Sequence, residues 1–232
     1  IPVDKNSGFP VLEKKMEVYD RDAMIISKKE IDKCLAWFIT PKQVTHLITV
    51  SCTGMSAPGL DLQLMSEMEL APNIFRTSVN FMGCYAAIHA LKLAKMICDS
   101  TPGANVVIVA TELCTLHFQK EYTEDNAASS LLFADGAAAV LISNCIASAN
   151  SLSLRGFYSY VAQKGKADMA WQLSSKGFLM TLSGYVPQLI QEDITGLVEK
   201  AVAYNGLTLP DITHWCIHPG GKRILDLVEK KL

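Results

Sequence analysis

The 232-residue sequence is poor in charge, in paired cysteines and in long apolar runs, and each shortage removes a class of function. Only 19% of residues are charged, and the formal net charge is −2 with no long run of one sign. A phosphate backbone demands a basic patch, so nucleic acid is not an expected partner. A membrane-spanning helix needs about 20 apolar residues in a row, and the longest apolar stretches, such as residues 137–142, are far shorter. No membrane span is expected, and no charged-then-apolar leader is read at the start. Seven cysteines lie scattered at 34, 52, 84, 98, 114, 145 and 216, with no C-x-x-C pair. That spacing argues against zinc, and no metal or cofactor is expected. Most of these cysteines sit inside apolar patterns, as reduced thiols do, which points to a cytoplasmic location.

What is present is a large core. Half of the residues are hydrophobic, enough for one large domain or one and a half smaller ones. Strands and helices alternate along the chain. Residues 13–20 read as a short helix and residues 29–38 as a second, closed by Pro41. Residues 45–52 form a β-branched run and a Gly/Ser/Pro-rich loop follows to 59. A one-faced helix is expected over 60–69, a strand over 75–81, a helix from Cys84 to about Cys98, and a strand over 105–112. Residues 114–132 read as a polar loop with a helical patch, Asp135-Gly136 as a tight turn, and 137–143 as a strand. Beyond these, 152–161 reads as a strand, 163–169 as a polar loop, and 187–203 as an amphipathic helix with Leu189, Ile190, Ile194, Leu197, Val198 and Ala201 on one face. Residues 211–218 read as a buried strand and 223–232 as a helix. The alternation implies a layered α/β fold with parallel pairing in part of the sheet.

Two places carry candidate chemistry. At the first, an apolar run ends at Gly83 and Cys84 opens a helix whose polar residues, His89, Lys92, Lys95 and Asp99, form only a narrow stripe. Most of that helix is therefore expected to be buried. A cysteine at a strand-to-helix turn faces unpaired N–H groups and the positive end of the helix dipole, which favour thiolate. The same N–H groups can stabilise an oxyanion during acyl transfer, and Gly83 permits the turn. An isolated cysteine in an apolar setting is, however, more often an inert core residue. The second place is His218-Pro-Gly-Gly221, expected at the carboxyl end of a buried strand, where open α/β sheets place their sites. His218 there either pairs with Cys84 as imidazolium and thiolate or merely caps the strand end.

Taken together, Asn80-Phe-Met-Gly-Cys-Tyr-Ala-Ala87, Leu132-Phe-Ala-Asp-Gly-Ala-Ala-Ala139 and Ile217-His-Pro-Gly-Gly221, in this order, resemble the chalcone synthase-like type III polyketide synthases. Thr45-His-Leu-Ile-Thr-Val-Ser-Cys-Thr53 and Ala57-Pro-Gly-Leu-Asp61 fit the same family, and the agreement runs from about residue 30 to the end. The resemblance implies a thiolase-type αβαβα fold of two similar halves, here 1–148 with the cysteine and 149–232 with the histidine, and a homodimer. It implies Cys84 as acyl carrier, His218 as its partner, and CoA thioesters as substrates. Phe133 matches the family's gatekeeper phenylalanine, and Met180 falls where plant members carry a second one. Gly220, Gly221 and Arg223 are the implied CoA-tunnel candidates. Cys114, His117 and Trp171 fall where plant chalcone synthases carry small cavity-lining residues, and Cys114-Thr-Leu-His-Phe118 and Met169-Ala-Trp171 look bacterial.

The family's third catalytic residue, an asparagine well after the histidine, has no counterpart before Leu232, and the family's early basic CoA-binding segment is not matched. The chain is accordingly read as a piece lacking both ends. The implied chemistry is loading of a starter acyl-CoA on Cys84 and decarboxylative condensation with malonyl-CoA, toward alkylpyrones or resorcinols rather than chalcones. A ketoacyl-carrier-protein synthase is the nearest rival, although such enzymes usually show His-Gln-Ala-Asn where this chain has His218-Pro-Gly-Gly221. A catalytically silent thiolase-fold dimerisation protein is a rival of another class, and a cysteine hydrolase a third.

Overall fold

The structure is a computed structural model that describes residues 9–162, 164, 168–182 and 186–232, with the side chains of 186–189, 191 and 193 left out. These residues fall into two compact units. The first comprises 1–120, 133–153 and 174–178, the second 121–132, 154–173 and 179–232.

The first unit is built on a four-stranded sheet of β1 (His46–Ser51), β2 (Phe75–Asn80), β3 (Asn105–Leu113) and β4 (Asp135–Ser143), in the order β2-β1-β3-β4. β1 pairs in parallel with both β2 and β3, and β4 runs antiparallel to β3. Alternation along each strand sends side chains to opposite faces. Leu47, Val107 and Val109 meet α1 (Leu12–Leu35) and α2 (Leu60–Glu67) on one face. Ile48, Val50, Val106 and Ile108 meet α3 (Ala86–Ser100) on the other. The sheet is thus covered on both faces, and its central strands read as continuous apolar runs for that reason.

Helix α1 merges the two short helices expected from the sequence into one of 24 residues. Every fourth residue from Lys15 through Tyr19, Ala23, Ser27, Ile31 and Leu35 is buried. The polar members of that stripe find partners: Tyr19 donates to Ser51 Oγ at 2.6 Å, and Ser27 and Thr111 share a hydrogen bond of 2.6 Å. Helix α3 departs from the expectation of near-complete burial. It buries only Ala86, Ala90 and Ala94, while Ile88 and Met96 remain 55% and 58% exposed. Three small residues at four-residue spacing let the helix sit close on the sheet, and no described element covers its other side. The edge strand β2 is likewise mostly exposed.

Asp135-Gly136 is not a turn. Both residues open β4, paired to Leu113 and Glu112, so ladder pairing overrides the local preference of Asp-Gly for turns.

The second unit contains α4 (Glu124–Leu132), α5 (Val186–Tyr204) and α6 (Lys222–Lys231). A two-stranded sheet pairs β5 (Met169–Ser174) with β6 (Gly177–Leu182) and is absent from the expectations. α5 and α6 pack together and bury Val202 and Val228. The strands expected over 152–161 and 211–218 do not form: residues 151–162 and 212–219 have no regular structure. A β-branched run becomes a strand only when a neighbour satisfies its backbone groups, and no ladder partner reaches either segment among the described residues. Of the polar loop expected over 163–169, residues 163 and 165–167 lie outside the described set, as does the side chain of Leu189.

The Ala stripe gives a direct packing test. Ala90→Leu, forced into fully buried space, is expected to cost about 1–3 kcal/mol of stability. Ile88→Ala, on the exposed side of the same helix, should stay within about 0.5 kcal/mol. Urea denaturation of the two variants measures the contrast.

Candidate active site

Because β1, β2 and β3 are parallel, their carboxyl ends emerge on one edge of the first unit, where α/β sheets place their chemistry. Residues 51–53, 80–84 and 112–114 lie at that edge, together with Phe133 and Asp135 at the start of antiparallel β4. Asp135 fastens the edge by accepting from the Thr115 N–H at 2.8 Å and the Thr115 hydroxyl at 2.5 Å.

Cys84 sits where the sequence places it, in the turn between β2 and α3, but the turn is sharper than a plain helix start. Phe81 adopts φ 60° and Gly83 φ 75°. A left-handed phenylalanine is uncommon and costs energy that the surroundings must supply. A single 3-10 turn over Gly83–Tyr85 then precedes α3, so Cys84 stands two residues before the helix proper. Cys84 is an exposed residue, yet burial of its thiol raises the pKa, and the Glu112 carboxylate raises it further. The expected thiolate-favouring setting is therefore corrected: within the first unit, helix-end N–H groups are outweighed by desolvation and a nearby negative charge.

Glu112, which the sequence did not single out, is the centre of this edge. Its carboxylate accepts the Cys52 N–H at 2.9 and 3.0 Å, the Thr53 hydroxyl at 2.6 Å and the Ser51 hydroxyl at 3.5 Å. Tyr19 donates to Ser51, and the Leu113 N–H donates to Thr53 Oγ1 at 2.9 Å. Burial nevertheless holds the Glu112 pKa above the ordinary carboxylate range. The same carboxylate contributes to the raised pKa values of Cys52, Cys84, Cys114 and Tyr19, with Cys114 and Tyr19 each pushed up to about 12. In the sequence the signal was a glutamate ending an otherwise apolar buried strand.

Cys114 is half-buried immediately after β3, and Phe133 is half-buried just before β4. His117 has both ring nitrogens in use. The Phe178 N–H can only donate, so Nδ1 accepts it at 3.1 Å, and Nε2 carries the proton toward the Thr53 carbonyl at 2.6 Å. Its ring stacks on Phe178 at 4.1 Å. Burial lowers its pKa, with the Lys15 ammonium adding to the fall. A cavity of about 430 Å³ also opens in the first unit, lined by residues including Tyr19, Ser51, Met55, Ser78, Asn80 and Phe81.

The remaining candidates lie in the second unit. His218 is exposed on a segment without regular structure, not at the end of a buried strand as expected. Its carbonyl accepts the Gly220 N–H at 2.9 Å, and its ring lies over Gly220, where a Cβ would meet Cδ2 at 3.7 Å. Gly221, at φ 135°, starts α6, on which Arg223 is exposed. Trp171 on β5 and Met180 on β6 are half-buried. The structure thus groups Cys84, Cys114 and Phe133 at one sheet edge of the first unit and leaves His218 with Gly220 and Gly221 in the second.

The first unit, a mixed α/β layer with a strained cysteine turn at the carboxyl edge of its parallel strands, has the arrangement of the thiolase-type fold. The family model for the N-terminal domain of chalcone and stilbene synthases matches residues 2–145, and that for the C-terminal domain matches residues 158–232. The chain belongs to the chalcone and stilbene synthase family. The type III polyketide synthase C of Arabidopsis thaliana is 28% identical over 233 residues, covering 97% of this chain and 60% of its own length. The alpha-pyrone synthesis polyketide synthase-like Pks18 of Mycobacterium tuberculosis is 30% identical over 188 residues, covering 79% of this chain and 48% of its own. The crystal structure of 1,3,6,8-tetrahydroxynaphthalene synthase from Streptomyces coelicolor, a bacterial type III polyketide synthase, superposes with a TM-score of 0.87 at 25% identity. That match covers 99% of this chain and 66% of the synthase. The chain spans 60% of the length of the Arabidopsis synthase and 64% of that of a putative chalcone synthase of Bacillus subtilis.

The Glu112 charge yields a test independent of any substrate. Glu112→Gln removes the negative charge that raises the Cys84 thiol, so Cys84 should ionise at lower pH. Its rate of alkylation by iodoacetamide at neutral pH should rise, read at Cys84 by peptide mass spectrometry. An unchanged pH profile at Cys84 would show that the carboxylate exerts no effective field on the sulfur.

Proposed function

We propose that this protein is a type III polyketide synthase in which Cys84 carries the growing acyl chain and His218 is its partner. The observation that carries this reading is the strained turn presenting Cys84 at the carboxyl edge of the parallel strands, in a chain whose family models span residues 2–145 and 158–232. Those two spans also support a division near residue 148 into two thiolase-like halves, one with the cysteine and one with the histidine.

The chemistry starts with attack of the Cys84 thiolate on the carbonyl of a starter acyl-CoA. The tetrahedral oxyanion collapses, the C–S bond to CoA breaks, and CoA leaves as thiolate and takes up a proton. Malonyl-CoA then loses CO2, and the electron pair of the broken C–C bond becomes the enolate of acetyl-CoA. His218, protonated, donates a hydrogen bond to that enolate oxygen. The enolate carbon attacks the acyl group on Cys84, which leaves as thiolate, and the chain, longer by two carbons, passes to CoA for another round. Phe133 gates the passage between the CoA tunnel and the reaction cavity. Met180, Trp171, His117 and Cys114 shape that cavity, and Gly220, Gly221 and Arg223 border the tunnel. The similarity to an alpha-pyrone synthesis enzyme and to a tetrahydroxynaphthalene synthase supports products other than chalcones. No described helix is long and apolar enough to cross a membrane, and the proposed setting is the cytoplasm. A homodimer is supported by the exposed apolar side of α3 and by β2, whose outer edge has no partner among the described residues.

The decisive assay supplies the intact protein with malonyl-CoA and a panel of radiolabelled short, fatty and aromatic acyl-CoA starters. Native protein should retain label covalently and release pyrone or resorcinol products, while Cys84→Ala should retain none. His218→Gln, which removes an oxyanion donor, should slow decarboxylation about 10²- to 10³-fold. Undiminished loading of Cys84→Ala would end the assignment of the nucleophile.

A further inference from the structure

The Cys52 thiol belongs to no step above, and its surroundings are unusual. It stands directly after β1. The Gly83 N–H donates to its sulfur at 3.3 Å, and the Phe81 N–H, at the other end of the same turn, donates to the Ser51 carbonyl at 3.1 Å. Two consecutive residues at the end of β1 therefore hold the two ends of the turn, Ser51 through its carbonyl and Cys52 through its sulfur. This turn carries the two left-handed residues, Phe81 and Gly83, and the next residue is Cys84. The Cys52 backbone is itself immobilised, since its N–H is bound by both oxygens of Glu112. An unbroken path leads from Glu112 through Cys52 to the peptide preceding Cys84.

We infer that Cys52 is a positioning residue for Cys84: its sulfur accepts the Gly83 N–H, holds Phe81 and Gly83 in their left-handed conformations, and so fixes the direction of the nucleophile. Thr53 and Ser51 cannot substitute, because their hydroxyls are engaged with Glu112, Tyr19 and the Leu113 N–H. Cys52 touches no reacting atom in this role. What it contributes is geometry, and misplacement of a reacting group by about 1 Å costs on the order of 10²-fold in rate. Bulk alone does not suffice for the task, since a methyl group accepts no hydrogen bond and would leave the Gly83 N–H facing an apolar atom.

The inference rests on the proposed role of Cys84, and the test separates the two. In the intact protein, Cys52→Ala should lower the maximal rate of acyl loading from a starter acyl-CoA by about 10²-fold. The half-saturating acyl-CoA concentration should stay unchanged. Cys52→Ser, whose oxygen can accept the same Gly83 N–H, should restore most of that rate. Amide hydrogen exchange at Gly83, which requires no CoA chemistry, should accelerate in Cys52→Ala and remain protected in Cys52→Ser. Native loading by Cys52→Ala, equal impairment of both variants, or unaltered Gly83 exchange in Cys52→Ala would each overturn the inference. Should Cys52→Ala fail to fold, loss of Gly83 protection in Cys52→Ser would overturn it and retention would support it. Covalent loading in Cys84→Ala would instead overturn the nucleophile assignment, leaving the exchange measurements to decide whether Cys52 holds the turn.

Discussion

A carboxylate buried at the end of β3 is the constraint around which this edge of the sheet is arranged. Removing Glu112 from water is costly unless its oxygens are satisfied, and the structure meets that demand with the Cys52 N–H and the hydroxyls of Thr53 and Ser51. These donors all come from the end of β1, so the bonds that satisfy the carboxylate also fix the ends of two parallel strands relative to one another. Thr53 continues the chain of bonds to the Leu113 N–H, and its carbonyl accepts His117 Nε2–H. The backbone here is irregular because strand ladders have ended. Side chains supply the partners the ladder no longer offers.

Fastening of this kind lets the neighbouring turn be strained. Phe81 in the left-handed region would relax if the chain around it were free. It is held between the last bond of the β1–β2 ladder, where its N–H donates to the Ser51 carbonyl at 3.1 Å, and the bond from the Gly83 N–H to the sulfur of Cys52. Helix α3 anchors the other side through its alanine stripe, whose small side chains allow the helix to approach the sheet closely. The cysteine is thereby presented by two rigid elements and one short turn. Loops alone would not hold a reacting atom with comparable precision.

The sheet and its edge were legible from the sequence because apolar runs bounded by turn residues mark buried strands regardless of their partners. Residues 45–52, 75–81 and 105–112 became β1, β2 and β3 within a residue or two, and Gly83-Cys84 fell at the expected turn. Legibility failed where structure depends on something outside the local window. Residues 211–218 have a strand's composition but no ladder neighbour among the described residues. Asp135-Gly136 has a turn's composition but meets Glu112 and Leu113 across the sheet. β5 and β6 were read as loop or left unassigned because both are short and Gln172 and Ser174 break the apolar pattern of β5. The role of Glu112 was invisible for a related reason. A single charged residue at a strand end says nothing about which hydroxyls and N–H groups will fold around it.

The electrostatics of Cys84 bear on how such a thiol can serve as an acyl carrier. Burial and Glu112 both disfavour the thiolate, so the local environment supplies too little of the reactive form. The anion that does form is a strong nucleophile, because thiolate nucleophilicity falls as thiol pKa falls, with a Brønsted coefficient of about 0.4–0.5. A raised pKa therefore trades the amount of thiolate for its reactivity. That trade is productive only if a base takes the proton when substrate is present. His117 is not such a base, because its Nδ1 is occupied by the Phe178 N–H and its proton is committed to the Thr53 carbonyl. On the proposed mechanism the partner of the thiolate is the imidazole of His218. A thiol held neutral in the absence of substrate also resists oxidation, which attacks the thiolate.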